Sequence, residues 1–126
     1  MIDWQVRTAT GEQVPGWDDH RDGCAFPDID HQEYLLPYMN VGDTLILPYE
    51  GAEFKRHDML RLADRLRIHR PYFESRSEPW TITESSGGQE ATIRLDRSKV
   101  LALLDKTLNM IDLALDQNYI LVFYGD

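Results

Sequence analysis

The densest concentration of reactive side chains is Asp18-Asp19-His20-Arg21-Asp22-Gly23-Cys24, followed by Asp28, Asp30 and His31. Carboxylate, imidazole and thiol are all metal-ligand types. The run from Asp18 to Gly23 even resembles the start of a calcium loop, with donor residues at alternate positions before a turn glycine. It departs from that pattern where the chemistry is decided. His20 is a poor calcium ligand, and Ile29 holds the twelfth position, which needs a bidentate Glu. The ligand set is incomplete for zinc as well. The reading is an acidic surface loop, with no metal and no cofactor.

Nucleophilic chemistry would have to start from Cys24, the one cysteine, which also rules out an internal disulfide. A reactive thiol needs a base within hydrogen-bond reach and a third group to orient that base. His20, His31, His57 and His69 are the conceivable bases, and nothing local signals such an arrangement. Cys24 reads as a small buried hydrophobe. His57 and His69 sit near opposite ends of one expected helix and cannot share an ion. Asp28 and Asp30 could form an acid–base pair, but they read as exposed loop carboxylates. Gly87-Gly88 lies between two expected strands, so it is a hairpin turn and not a phosphate cradle. No catalytic residue is expected.

The elements that would position these groups can be read from periodicity. Ile2, Trp4 and Val6 alternate with Asp3, Gln5 and Arg7, the pattern of a half-buried strand. Residues 15–31 read as a long loop with a short strand near Cys24-Ala25-Phe26. Glu33 to Pro37 and Asp43 to Tyr49 read as two short strands joined by a turn at Asn40 to Asp43. Met59, Leu62, Ala63 and Leu66 recur at helical spacing in a helix that starts between Phe54 and Asp58 and that Pro71 is expected to stop near His69. Trp80 to Thr83 and Ala91 to Leu95 form a hairpin. A second helix is capped by Ser98 and carries the stripe Val100, Leu104, Leu108, Ile111 and Leu115. Tyr119 to Tyr124, almost wholly apolar, reads as an interior strand. The expected fold is one α+β domain over residues 1–126, a mostly antiparallel or mixed sheet packed against two main helices.

The net charge is −9, which disfavours nucleic acid as a partner because phosphate is recognised by cations. Residues 1–50 carry ten acids against two bases, whereas residues 51–76 carry seven bases against four acids. Arg56, Arg61, Arg65, Arg67, Arg70 and Arg76 read as a broad surface that ion-pairs with the acidic lobe, with an anion or RNA contact as the alternative. No apolar run is long enough to span a bilayer, and the N-terminus lacks the marks of a secretory signal, so a cytoplasmic location is expected.

The ending Asn118-Tyr119-Ile120-Leu121-Val122-Phe123-Tyr124-Gly125-Asp126 resembles that of small uncharacterised bacterial proteins of similar length that finish in a Tyr-Leu-x-Phe-x-Gly-Asp pattern. Those proteins are similar to immunity factors for secreted toxins. The resemblance implies a non-catalytic, protein-binding function in which the chain neutralises a cognate toxin. A regulatory or structural subunit of a larger bacterial assembly is the first alternative, and an enzyme or metal-binding protein using the Asp/His-rich loop the second. The expected partner is another protein, such as a basic toxin domain. Trp17, Asp18, Asp19, Asp22, Phe26, Asp28, Asp30 and Tyr34 are expected to form the partner-binding surface, the acids supplying charge complementarity and the aromatics the desolvated anchors.

Overall fold

The computed structural model describes residues 1–43 and 45–125, with the backbone alone at Ser86. The sheet is built around β1 (Asp3–Arg7) and β6 (Ile120–Tyr124), which run antiparallel with Trp4 opposite Phe123 and Val6 opposite Leu121. β2 (Cys24–Ala25) flanks β1 and β3 (Ala52–Phe54) flanks β6, giving the order β2-β1-β6-β3. Ile120 to Phe123 are all buried, so the continuous apolar run does mark an interior strand. β4 (Trp80–Ser86) and β5 (Gln89–Leu95) form the hairpin read from the sequence, extended at its tip. Gly87 and Gly88 both have positive φ (58° and 80°), which the tight turn requires and side-chain-bearing residues resist. The α+β class is as the pattern predicted, and the expected mostly antiparallel or mixed sheet is found as two antiparallel sheets among the described residues.

Among the described residues four helices accompany the strands: α1 (Asp19–Asp22), α2 (Ile29–Met39), α3 (Arg56–Glu74) and α4 (Arg97–Gln117). α4 lies against the sheet, and Trp4 Nε1 donates to Thr107 Oγ1 at 3.1 Å to join the two layers. Trp4 also meets Phe26 edge-on at 4.9 Å and Phe123 at 5.5 Å. α3 packs beside α4, burying Met59, Leu62, Ala63, Leu66 and Phe73.

Several sequence readings are corrected here. Glu33 to Pro37 is not a strand but the middle of α2, whose buried residues His31, Gln32, Leu35 and Met39 keep a helical spacing. Asp28 caps it by accepting the His31 N–H at 3.0 Å. Pro37 lacks only the N–H that would reach Glu33, and Glu33 is exposed, so water can take the freed carbonyl. Pro71 likewise lies inside α3 instead of ending it. Its lost partner is the exposed Arg67, and fully buried Phe73 holds the last turn in the core. The described residues of Asp43 to Tyr49 lie outside the sheet, with one isolated bridge from Leu47 to Gly51. Asn40 substitutes for a neighbouring strand, its side-chain amide accepting the Ile46 N–H at 2.6 Å and donating to the Ile46 carbonyl at 3.2 Å. Thr44 and Asp126, parts of that segment and of the C-terminal motif, fall outside the described residues. α4 is capped by Asp96, which accepts the Lys99 N–H, and not by Ser98. Its buried face centres on Val100, Leu104, Thr107, Ile111 and Ala114, leaving Leu108 and Leu115 half-buried.

Candidate functional site

The outer face of β1 explains how the acidic segment is placed. Gln5 and Arg7 occupy the polar half of the alternation, yet they are only 3% and 8% exposed. The 17–23 segment covers them. Gln5 Oε1 accepts the Trp17 indole N–H at 2.9 Å, and Gln5 Nε2 donates to Asp3 Oδ2 at 3.1 Å and to the Asp19 carbonyl at 3.3 Å. Arg7 grips both Asp19 carboxylate oxygens, at 3.0 and 2.9 Å, and donates through Nε to Tyr124 Oη at 2.9 Å. This is the bidentate geometry that charge-assisted pairs favour. Gly23 has no space for a Cβ, which would run into the Gln5 side chain.

Within the segment, every carboxylate at 18, 19 and 22 has a structural task. Asp18 caps α1 by accepting from the N–H groups of His20 and Arg21, at 2.9 and 3.0 Å, and its own N–H goes to Asp22 Oδ2 at 2.9 Å. The Arg21 N–H above all, then that of His20, holds the Asp18 carboxyl below its ordinary range. Asp22 is lowered by the Arg21 guanidinium first and the Asp18 N–H second. Lys106 Nζ donates to the Arg21 carbonyl at 3.0 Å, tying α1 to α4.

A cavity of about 280 Å³ lies beside this segment, lined by Asp3, Gln5, Asp19, His20, Gly23 and Cys24, among others. The residue types that suggest metal or thiol chemistry thus come close together. Among the described residues, however, no group of three His, Cys, Asp or Glu side chains is arranged to hold an ion. Burial pushes the Cys24 thiol up to about 11, outweighing a hydrogen bond with Thr107 and the charge of Lys106. A thiol shifted this way holds little thiolate near neutrality.

Among the described residues His31 is the one buried histidine, and both its nitrogens are engaged. Nδ1 lies 2.7 Å from Asp28 Oδ1, and Nε2 accepts the Asp96 N–H at 3.0 Å. The Asp96 donor requires an unprotonated Nε2, so the ring proton sits on Nδ1 and points to Asp28. This acid–imidazole pair has the outline of an oriented base, but the basic nitrogen is spent on a backbone N–H. It links the N-caps of α2 and α4. The N–H of His31, then its ring, keeps the Asp28 carboxyl below its usual range.

The eight expected contact residues therefore do not form one surface. Trp17, Asp18, Asp19 and Asp22 cluster at α1. Phe26 is 3% exposed against Trp4, so it is a core residue and not an anchor. Tyr34 is half-buried elsewhere, edge-on to Trp80 at 5.3 Å and close to Phe73 and Tyr38. Asp28 is committed to α2, and Asp30 is half-buried in that helix's first turn. The arginines of α3 also pair differently from the expectation. Arg70 holds Asp105 of α4 in a bidentate pair at 2.8 and 3.0 Å, and Arg67 approaches Asp112 at 3.7 Å. Within residues 1–50 their described ion-pair partner is Asp43, 3.5 Å from Arg61.

Sequence reasoning missed a different surface. Ile29, Leu36, Pro48 and Tyr49 border a groove of about 280 Å³ between α2 and the turn before β3. The usable signal was Leu45, Leu47 and Tyr49 alternating with Ile46 and Pro48, a strand-like pattern in a segment whose one described bridge runs from Leu47 to Gly51. Among the described residues, no helix is long and apolar enough to cross a membrane. Comparison with protein-family models, with curated proteins and with solved structures gives no match.

Proposed function

We propose that this chain is a non-catalytic protein-binding module of the immunity or inhibitor type, which occupies a basic domain of a cognate toxin. The observation that carries the reading is the acidic segment at α1, fastened to the sheet through Arg7–Asp19 and Trp17–Gln5 before any partner arrives. A surface ordered in advance loses less entropy on association. Fixed carboxylates raise the encounter rate with a basic partner and discriminate against acidic ones. The raised thiol of Cys24 and the committed nitrogens of His31 fit a binding role better than a catalytic one.

The test uses the tagged chain to recover a partner, followed by reassembly of the purified pair and measurement of association at several salt concentrations. Changing Asp18, Asp19 and Asp22 together would dismantle α1, so the informative variant is Asp3→Asn, which borders the segment and spares the caps. We expect an equimolar complex whose association slows as salt rises, and a weaker salt dependence in the variant. A complex whose association ignores both salt and variant would remove the acidic segment from the binding face. Failure to form any equimolar complex would sink the reading itself.

A further inference from the structure

The groove between α2 and the 48–49 turn is walled mainly by Met1, Ile29, Leu36, Pro48 and Tyr49. Ile29 is 53% exposed and Tyr49 83%, and Leu45 and Leu47 of the adjoining segment are exposed as well. Contiguous apolar surface of this kind on a folded chain marks an interaction site more often than chance placement. Among the described residues lining the groove, Glu33 carries the one charged side chain. Glu33 also lines a second cavity, of about 410 Å³, on the other flank of α2 with Tyr34, Pro37, Tyr38, Arg65 and Glu84. It therefore stands on a ridge between two hollows. It joins no ion pair among the described residues.

We infer that this face docks a basic amphipathic segment of the partner protein, with apolar side chains entering the groove and Lys or Arg side chains reaching Glu33. Charge selects this occupant over a second copy of the chain. An isologous pairing presents the same patch from both sides and would bring Glu33 toward a matching carboxylate. An acidic or polyanionic partner meets the same repulsion. A cationic segment with apolar knobs satisfies both the groove and the ridge. This inference rests on the protein-binding reading above and adds where the partner's anchor sits and what chemistry it has.

The probes are three synthetic helical peptides of equal length: a leucine–lysine amphipathic peptide, a leucine–glutamate peptide with the same pattern, and a serine–lysine peptide. We expect the leucine–lysine peptide to bind and to shift the amide resonances of Ile29, Glu33 and Tyr49. Tyr49→Asp and Glu33→Lys should each weaken it by about tenfold or more, a change well above assay error, with circular dichroism unaltered. The other two peptides should bind more weakly by a similar factor. No binding of the leucine–lysine peptide would overturn the inference, as would equal binding of the serine–lysine peptide or resonance shifts confined to Trp17 to Cys24. Self-association in sedimentation that Tyr49→Asp abolishes would assign the face to a second copy instead. Any of these results leaves the protein-binding reading to stand or fall on the capture experiment, because that experiment reads complex formation wherever the partner touches.

Discussion

The segment around α1 and the face beside α2 are opposites in what they present and in how they are held. The first is charged, yet its carboxylates at 18, 19 and 22 are occupied within the chain by Arg7, Arg21 and backbone N–H groups. The second is apolar, yet Tyr49 and Ile29 are both exposed. Polar residues can therefore be structural and apolar residues available, the reverse of the usual assignment from composition. Binding energy concentrates in a few desolvated apolar anchors, with charge governing encounter. On the proposed reading, the apolar face would supply the anchors and the acidic segment the encounter.

Substitutions that cut the internal ties should cost stability, and the largest loss is expected at His31. His31→Ala removes the acceptor of the Asp96 N–H, frees Asp28 from one of its partners and leaves a void in the core. Lost hydrogen bonds and a cavity together suggest about 2–4 kcal/mol. Urea melts will measure it, and a loss below about 1 kcal/mol would mean that the caps of α2 and α4 are not joined through this ring. Asp19→Ala ranks next. It leaves the buried Arg7 guanidinium with the Tyr124 hydroxyl and the Val6 carbonyl. Breaking a fully buried pair costs more, but Asp19 is half exposed, so about 1–3 kcal/mol is expected. Adding Arg7→Met to Asp19→Ala should recover part of that loss. No recovery would show that the loss at Asp19 does not come from leaving Arg7 without its carboxylate.

The pattern of what was legible follows from the same contrast. β6 was readable because an interior strand buries both faces and leaves an unbroken apolar run. The α4 stripe was readable because helical burial repeats every three to four residues, although Thr107 entered the buried face through a hydrogen bond with Trp4 that periodicity does not encode. Gln5 and Arg7 look solvent-facing by alternation. Their burial depends on Trp17 and Asp19, which lie 12 residues further along the chain, and no local pattern reports such a contact. α2 was misread because Tyr34-Leu35-Leu36-Pro37 is short, apolar and broken by proline. The cap at Asp28 that outweighs this looks, in sequence, like any loop carboxylate. The acidic site was therefore visible as composition but not as geometry, and the apolar groove was hidden inside a presumed strand.

Acid should loosen the α1 segment more than the groove. Asp18 and Asp22 of that segment both titrate below their ordinary value in the folded chain. A carboxyl lowered on folding stabilises the native state above its unfolded value, about pH 4, and loses that contribution as pH falls through its folded value. Stability should be level from about pH 5 upward on this account and decline below about pH 4. Amide exchange in Asp19 to Gly23 should quicken in the same window, ahead of residues 45–49. Uniform quickening across both segments would mean that the carboxylates support the fold as a whole and not α1 in particular.

The smallest effect on stability is expected at the apolar face, and its smallness is what separates availability from structural use. Tyr49 is 83% exposed and makes no described ring contact or hydrogen bond. Ile29 follows the α2 cap and is 53% exposed. Truncating a side chain that already lies in water removes little buried area, so Tyr49→Ser and Ile29→Ser should each change stability by less than about 0.5 kcal/mol. Ile29→Ser carries the larger share because serine is a poorer fit to a helix's first turn than to its cap. If both groups are instead used internally, their loss should cost more than about 1 kcal/mol, and the groove would then be a seam of the fold. A near-zero result, combined with clear losses at His31 and Asp19, would leave the apolar face as surface that the chain maintains without needing it for its own stability.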